Sequence, residues 1–172
     1  TTTKQIVFDS GDDFERYTAA NLPTLFNADH ENNTPKGRSR AKGPEPEGVT
    51  IAQIATETFA FVSLERVGGV IVYNITNPNN PVFVDYKNSR STSAYSGDHG
   101  PEGITYIAPA NSATAKGYVL VANEISGTIT IYEVDENTLS SSDFNSEPKT
   151  FVIFPNPASN SEIVYFNRVA DI

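Results

Sequence analysis

Short apolar runs, separated by turns rich in Gly and Asn, occupy most of the chain and have the lengths of β-strands. They consist mainly of Val, Ile, Tyr and Phe, the side chains that fit a pleated and half-buried surface. One early stretch has helical spacing instead: Phe14 to Ala20 follows Asp12 and Asp13, either of which could cap a short helix. Residues 27–46 are polar and predict a long exposed loop. The pattern therefore predicts an all-β fold with a short helical excursion.

The most informative feature is an internal repeat. Residues 61–75 read FVSLERVGGVIVYNI, and residues 120–134, which lie 59 positions further on, read LVANEISGTITIYEV. A Pro-Glu-Gly turn opens each copy, but Glu47 and Glu102 in these turns are only 55 positions apart. The second copy therefore carries four more residues between its first two strands, and residues 111–115 are where the insertion would lie.

Each copy contains three or four short strands joined by tight turns. Gly68-Gly69 and Ser126-Gly127 suit hairpins, and Val82 to Tyr86 adds a fourth strand to the first copy. Antiparallel strands repeating at this period indicate a partial β-propeller of about two blades, over about 46–87 and 101–135. A pair of stacked hairpins in a sandwich is the alternative. Since repeat units need about three or more copies to bury both faces, we expect remaining propeller blades of the parent protein as partners.

The composition narrows the function classes. The chain has 12 Lys+Arg against 21 Asp+Glu, a formal net charge of -9, which argues against a nucleic-acid partner. It contains no Cys, so the fold needs no disulfide or thiolate metal site. No apolar run approaches the roughly 20 residues of a transmembrane segment. The missing Met at position 1 predicts a processed or excised piece, and if the parent protein is exported, its targeting segment was removed before residue 1.

The composition changes near the end of the second repeat. Residues 136–149 are polar and read as a linker between domains. A fresh apolar run begins at Phe151 and is followed by a proline-rich turn. We therefore predict that residues 1–135 are the C-terminal part of the propeller and that residues 150–172 start a second domain that is incomplete here.

Four segments resemble the choice-of-anchor I family. They are KGPEPEG at 42–48, LERVGG at 64–69, GPEG at 100–103 and ANEISG at 122–127. The resemblance implies a large bacterial propeller that is carried to the cell surface and attached by an interchangeable C-terminal anchor. More distantly, the chain is similar to propellers of phytase-like or alkaline-phosphatase-like type.

A second resemblance rests on the FPNPAS run, in which Phe154, Pro155, Asn156 and Pro157 form the motif. It resembles the start of a C-terminal sorting domain of the type 9 secretion system of Bacteroidota, a small β-sandwich of which only the first strand would be present. This implies the outer-membrane secretion machinery as a partner. It also implies a secreted protein or one on the outer-membrane exterior.

Carboxylates recur at equivalent places in the two repeats. In a propeller, the loop before each innermost strand lies at the channel mouth, and Glu47 and Glu102 follow that loop. Because antiparallel strands reverse, Glu65 should lie near Glu47, and Glu124 near Glu102. Such a patch could bind calcium, which takes oxygen ligands. The candidates for ligand or cation binding are Glu45, Glu47, Glu65, Arg66, Asp98, His99, Glu102 and Glu124, with Glu47 and Glu102 as metal ligands.

Two other interpretations of the same residues stay open. The recurring Pro-Glu-Gly turn could serve only to fix the start of each strand. Alternatively, a calcium bound by the carboxylates would recruit phosphate with Arg38, Lys42 or Arg66, which gives a metal-dependent phosphoester hydrolase. The chain has no Gly-x-Ser-x-Gly elbow, phosphate-binding glycine loop or cysteine nucleophile. The sequence therefore leaves open whether the protein is an enzyme.

Overall fold

The computed structural model describes residues 4–134, 149–154 and 165–168. It is an all-β fold with one α-helix and one short 3-10 helix among these residues. The elements are α1 (Asp13–Asn21), β1 (Pro46–Ile54), β2 (Glu57–Leu64), β3 (Val70–Asn74), β4 (Val82–Lys87), β5 (Pro101–Ile107), the 3-10 turn (Pro109–Asn111), β6 (Gly117–Asn123), β7 (Thr128–Val134), β8 (Lys149–Phe154) and β9 (Tyr165–Arg168).

The first repeat forms the first sheet, an antiparallel meander in the order β1-β2-β3-β4. Gly68 and Gly69 both have positive φ, 91° and 79°, in the turn between β2 and β3. A side chain at Gly69 would collide with the carbonyl of Lys87 and with the Tyr86 ring, so glycine is required there on two grounds. The predicted fourth strand of this repeat is confirmed as β4.

The second repeat forms the second sheet, with the strand order β5-β6-β7-β8-β9. Its strands β8 and β9 lie beyond the repeat, and β8 pairs with β7 through Phe151 opposite Ile129. The sequence predicted β8 as the first strand of a separate domain. That division into domains stays a prediction, since residues 135–148 and the motif residues Pro155, Asn156 and Pro157 lie outside the described residues.

The two sheets pack on each other around a shared core. Phe59, Phe61, Val70 and Val72 of the first sheet contact a group of buried residues from the second sheet. That group is Val119, Val121, Tyr132 and Val134. All eight side chains are nearly inaccessible to solvent, so burial of apolar area between the sheets is the main force that holds them together.

A second core lies on the opposite face of the first sheet. Ile71 and Tyr73 alternate with the residues of the shared core along β3 and so point the other way. Phe14 and Tyr17 of α1 pack on this face, together with the fully buried Leu25. The helical excursion thus covers the outer strands of the first sheet.

The predicted all-β class, with antiparallel blade-like sheets and a short helix, is confirmed, and the described residues form no closed ring. The predicted strand Val82 to Tyr86 agrees with β4 to within one residue. The apolar run Lys4 to Phe8 forms no strand. The 27–46 loop has no strand before Pro46, as predicted, but Asn27, Ala28 and His30 near its start are buried.

Candidate functional site

The turns that open the two repeats bring glutamates together in pairs. Pro46 pairs with Leu64 across β1 and β2, which places Glu47 beside Glu65. The two carboxyl groups share a hydrogen bond. In the second sheet Pro101 pairs with Asn123 in the same way, and the carboxyl groups of Glu102 and Glu124 also share a hydrogen bond.

The proximity of like charges changes the acidity of both pairs. Burial, followed by the hydrogen bond with Glu47, raises the pKa of Glu65 to about 7. The hydrogen bond with Glu124 and its charge raise the pKa of Glu102 above the ordinary value, and the charge of Glu47 adds to this. The first pair therefore influences the second, and the four glutamates form one acidic patch across both sheets. We call Glu47, Glu65, Glu102 and Glu124 the glutamate patch.

Glu45 has a different position and a different task. Its backbone is left-handed, with φ 49°, and its side chain is almost fully buried. The carboxylate accepts a hydrogen bond from Arg38, and Oε2 lies 3.4 Å from Nε of Arg66. Burial raises the pKa of Glu45, but the hydrogen bond from Arg38 and the charges of Arg66, Arg38 and Lys42 outweigh it, so the pKa lies below its ordinary value. Glu45 thus links the 27–46 loop to the first sheet.

His30 and Asp29 complete this polar link. His30 Nδ1 lies 3.2 Å from Oε1 of Glu65, and Nη1 of Arg66 lies 3.2 Å from the same oxygen. Asp29 Oδ1 lies 3.7 Å from Arg66 Nη1. The sequence predicted an exposed loop over residues 27–46, but His30 is only 9% exposed. We call Asp29, His30, Arg38, Glu45 and Arg66 the loop clamp.

Arg90 holds the loop clamp in place, and no sequence pattern pointed to it. This guanidinium is 4% exposed and donates to the backbone carbonyls of Arg66, Asp29 and Asn32 at 2.7–2.8 Å. It also donates to the side-chain oxygen of Asn33. Four acceptors on two separated segments make Arg90 the cross-link between the 27–46 loop and the turn after β2. Its only signal in the sequence is an arginine among serines.

Asp98 and His99 form their hydrogen bonds and ring contact with residues other than the glutamate patch. Asp98 accepts hydrogen bonds from the hydroxyls of Ser89, Thr128 and Thr130 at 2.5–2.7 Å, which ties the 88–100 loop to β7. The His99 ring contacts the Tyr95 ring, with the centroids 4.4 Å apart, and its Nδ1 bonds the Gly97 carbonyl. Burial and the charge of Arg90 lower its pKa. Both residues thus have local structural partners.

The arrangement separates the predicted candidates into three groups, of which Asp98 and His99 form one. Glu47, Glu65, Glu102 and Glu124 come together, whereas Glu45 and Arg66 face each other in the loop clamp. Within the described part of the chain, no three or more His, Asp or Glu side chains are spaced to hold a metal ion. A cation at the glutamate patch would therefore rely on two carboxylates of a pair and on water.

Comparison with known proteins adds a family. The model of the choice-of-anchor I domain matches residues 1–78. The match supports the resemblance to the choice-of-anchor I family that the sequence motifs indicated. It covers α1, the loop clamp and the first three strands, and it suggests a cell-surface or secreted protein. Among the described residues, no helix combines the length and the apolar character needed to cross a membrane.

One curated relative is Gigasin-3a from Magallana gigas, which is 26% identical over 148 residues. The alignment covers 77% of this chain and 52% of the relative, so the chain spans about half the length of the curated relative that it matches. No solved structure gives a significant match.

Proposed function

We propose that the chain is part of an exported, cell-surface bacterial β-propeller protein that binds a cation at the glutamate patch. The observation that supports this is the pairing of Glu47 with Glu65 and of Glu102 with Glu124 at equivalent positions of two sheets. Two carboxylates in contact repel each other when both are ionised. Either a shared proton or a bound cation relieves that repulsion.

Calcium fits this patch better than a transition metal. It prefers carboxylate and water oxygens, which the patch offers, whereas the chain has no thiolate and the imidazole of His30 beside Glu65 is buried against Arg66. Two protein carboxylates leave most of the 6–8 coordination positions to water, and extracellular sites of this kind bind with dissociation constants on the order of 10⁻⁴–10⁻³ M. We therefore expect weak, pH-dependent binding that competes with the shared proton.

Calcium titration of the purified chain tests the proposal. At pH 8, calcium at about ten times its dissociation constant should add roughly 1.4 kcal/mol to the free energy of unfolding. Glu47→Gln and Glu102→Gln should each reduce this gain, while Glu31→Gln, an exposed loop residue, should leave it intact. The proposal fails if the double variant Glu47→Gln with Glu102→Gln keeps the full calcium effect.

We also propose that the parent protein leaves the cell through the type 9 secretion system. The support is the FPNPAS run from Phe154, which follows a propeller-like unit and a polar segment. Replacing Pro155 and Pro157 by alanine in the parent protein should leave it in the periplasm, as judged by protease access in intact cells. Unchanged surface exposure would contradict this route.

The hydrolase alternative gains no support, because Arg38 and Arg66 already pair with Glu45.

A further inference from the structure

Positive charge is concentrated in one short segment of the 27–46 loop. Residues 36–42 read KGRSRAK, so four of the chain's 12 Lys and Arg residues lie within seven positions. The chain as a whole has a formal net charge of -9, and this segment therefore opposes the overall balance. Clusters of Lys and Arg of this length are typical of sites that bind polyanions. We call residues 36–42 the basic segment.

Backbone hydrogen bonds tie the basic segment to the buried part of its loop. The amides of Lys36 and Arg38 donate to the carbonyls of Phe26 and Asn27, at 2.7 and 2.8 Å. Asn27 is 4% exposed, so this attachment reaches the interior of the protein. At the other end, the amide of Gly43 donates to the Arg38 carbonyl at 3.1 Å and closes the turn. The segment is thus a series of turns with a fixed base.

The four cations of the basic segment have two different environments. Arg38 belongs to the loop clamp and donates to the Glu45 carboxylate. Lys36, Arg40 and Lys42 are exposed, and no carboxylate among the described residues lies within ion-pair distance of them. One cation therefore attaches the segment to the first sheet, and three remain open to a ligand.

The basic segment lies beyond the end of the first sheet. It joins the sheet through Pro44 and Glu45, whose carbonyls accept hydrogen bonds from the amides of Arg66 and Glu65 in the turn after β2. No residue of the segment belongs to either apolar core. Since blades of a propeller pack on one another through the faces of their sheets, we expect a segment at the end of a sheet to stay accessible in the parent protein.

We propose that the basic segment binds an acidic polysaccharide, a polymer that carries carboxylate or sulfate groups, through Lys36, Arg40 and Lys42. A guanidinium donates two parallel hydrogen bonds to such a group, and an ammonium donates to single oxygens. This site is separate from the glutamate patch, and binding there requires no cation at the patch.

The residues between the cations favour this class of partner over others. They are Gly37, Ser39 and Ala41, so the segment offers no aromatic ring on which a nucleic-acid base could stack. It offers no large apolar side chain that could enter a membrane, and none that could serve as the buried anchor of a protein interface. A hydrophilic polyanion needs only the exposed cations.

The strength of binding should depend steeply on salt. Three cations that neutralise three anionic groups release about two to three counterions, by the relation found for nucleic acids. The affinity should therefore fall about 20- to 40-fold between about 50 and 200 mM salt. The negative charge on the rest of the chain repels a polyanion, which makes the binding weak and confines it to the basic segment.

Binding to immobilised polymers tests the proposal. The purified chain is passed over dextran sulfate, polygalacturonate and uncharged dextran in a buffer that contains EDTA. It should bind at least one of the two charged polymers and should not bind dextran. Whichever charged polymer it binds identifies sulfate or carboxylate as the recognised group. Because EDTA keeps cations off the glutamate patch, Glu47→Gln with Glu102→Gln should bind at least as tightly as the unmodified chain, whatever the outcome of the calcium titration.

Two matched variants separate the basic segment from net charge. The segment variant replaces its three exposed cations by glutamine: Lys36→Gln, Arg40→Gln and Lys42→Gln. The control variant removes the same charge from exposed cations elsewhere: Lys4→Gln, Arg16→Gln and Lys116→Gln. The segment variant should lose on the order of tenfold or more in affinity, and the control variant about twofold or less. Circular dichroism checks that both are folded, and Arg40→Gln alone, which should lose severalfold, replaces the segment variant if that variant is not.

Three results would overturn the proposal. The first is the absence of binding to both charged polymers at about 50 mM salt. The second is an equal loss of affinity in the segment and control variants, which would mean that only net charge matters. The third is tighter binding to duplex DNA or to phosphatidylglycerol vesicles than to either polysaccharide, which would assign the segment to a different class of partner.

Discussion

The same backbone turn precedes the first strand of each sheet. In the first sheet it carries the charged pair Glu45 and Arg66, and in the second sheet Gly100 and Ile125 take their places. Glu45 and Gly100 stand at equivalent positions with φ 49° and 68°. The amide of Glu65 donates to the Glu45 carbonyl at 2.9 Å, and the amide of Glu124 donates to the Gly100 carbonyl at 2.8 Å. The backbone is thus conserved between the two sheets, whereas the side chains are not.

The difference shows what the loop clamp adds to the first sheet. At Gly100, a Cβ would lie 2.7 Å from Ile125 Cγ1, so the isoleucine fills the space that a side chain would need. In the first sheet Arg66 replaces that isoleucine, and Glu45 accepts a strained backbone to reach it. The backbone strain is therefore accompanied by a connection to the 27–46 loop that the second sheet lacks.

Removing the cross-link should have the largest effect. Arg90→Met leaves three backbone carbonyls and Asn33 without their donor, so we expect the free energy of unfolding to fall by about 3 kcal/mol or more. Chemical denaturation measures it. Hydrogen exchange should rise in residues 27–45 but not in β6 or β7. Arg40→Met, at an exposed position, is the control, and equal loss in both variants would contradict this role of Arg90.

Converting the first turn into the second should have an intermediate effect. Glu45→Gly removes the partners of Arg38 and Arg66 but relieves the left-handed strain, so we expect a net loss of about 1–2 kcal/mol. Adding Arg66→Ile should cost less than the sum of the two single changes, by about 0.5 kcal/mol or more. Denaturation of the four chains in this cycle gives the coupling. Strict additivity would mean that the two residues do not act as a pair.

The last effect concerns pH and is the most gradual. The folded pKa of Glu65 is about 7, above its ordinary value of 4.5, so the folded chain holds a proton that the unfolded chain releases. The stabilising contribution is complete below about pH 4.5 and is lost as the pH rises to about 7, with a slope of at most about 1.4 kcal/mol per pH unit. Glu65→Gln should remove this slope in urea titrations, and Glu31→Gln should retain it. A slope unchanged in Glu65→Gln would contradict the assignment.

Repetition made much of the fold predictable. Because two copies of one pattern can be aligned, the strands, the glycine turns and the length difference at residues 111–115 followed without any structure. The proximity of Glu47 to Glu65 also followed, since antiparallel pairing fixes which ends meet. Whether the glutamate patch binds a cation stays a prediction.

What occurs only once in the chain could not be predicted in this way. Nothing in the sequence connects Arg90 with Asp29 and Asn32, because their contact arises only when two loops fold over the end of the first sheet. Polar composition indicated an exposed loop, yet His30 is buried in contact with Glu65 and Arg66, which composition does not reveal. For the same reason Asp98 was grouped with the glutamates, although three hydroxyl donors occupy it.

The 3-10 turn at Pro109–Asn111 has a practical meaning for anyone who modifies this protein. It lies in the connection where the second repeat is four residues longer than the first, and it joins β5 to β6 without disturbing the register beyond the turn. The residues that follow, Ala113 to Lys116, are exposed. The two repeats thus already differ in length at this connection while both sheets form. We therefore expect the sheet to tolerate a fluorophore or an affinity tag inserted at this connection.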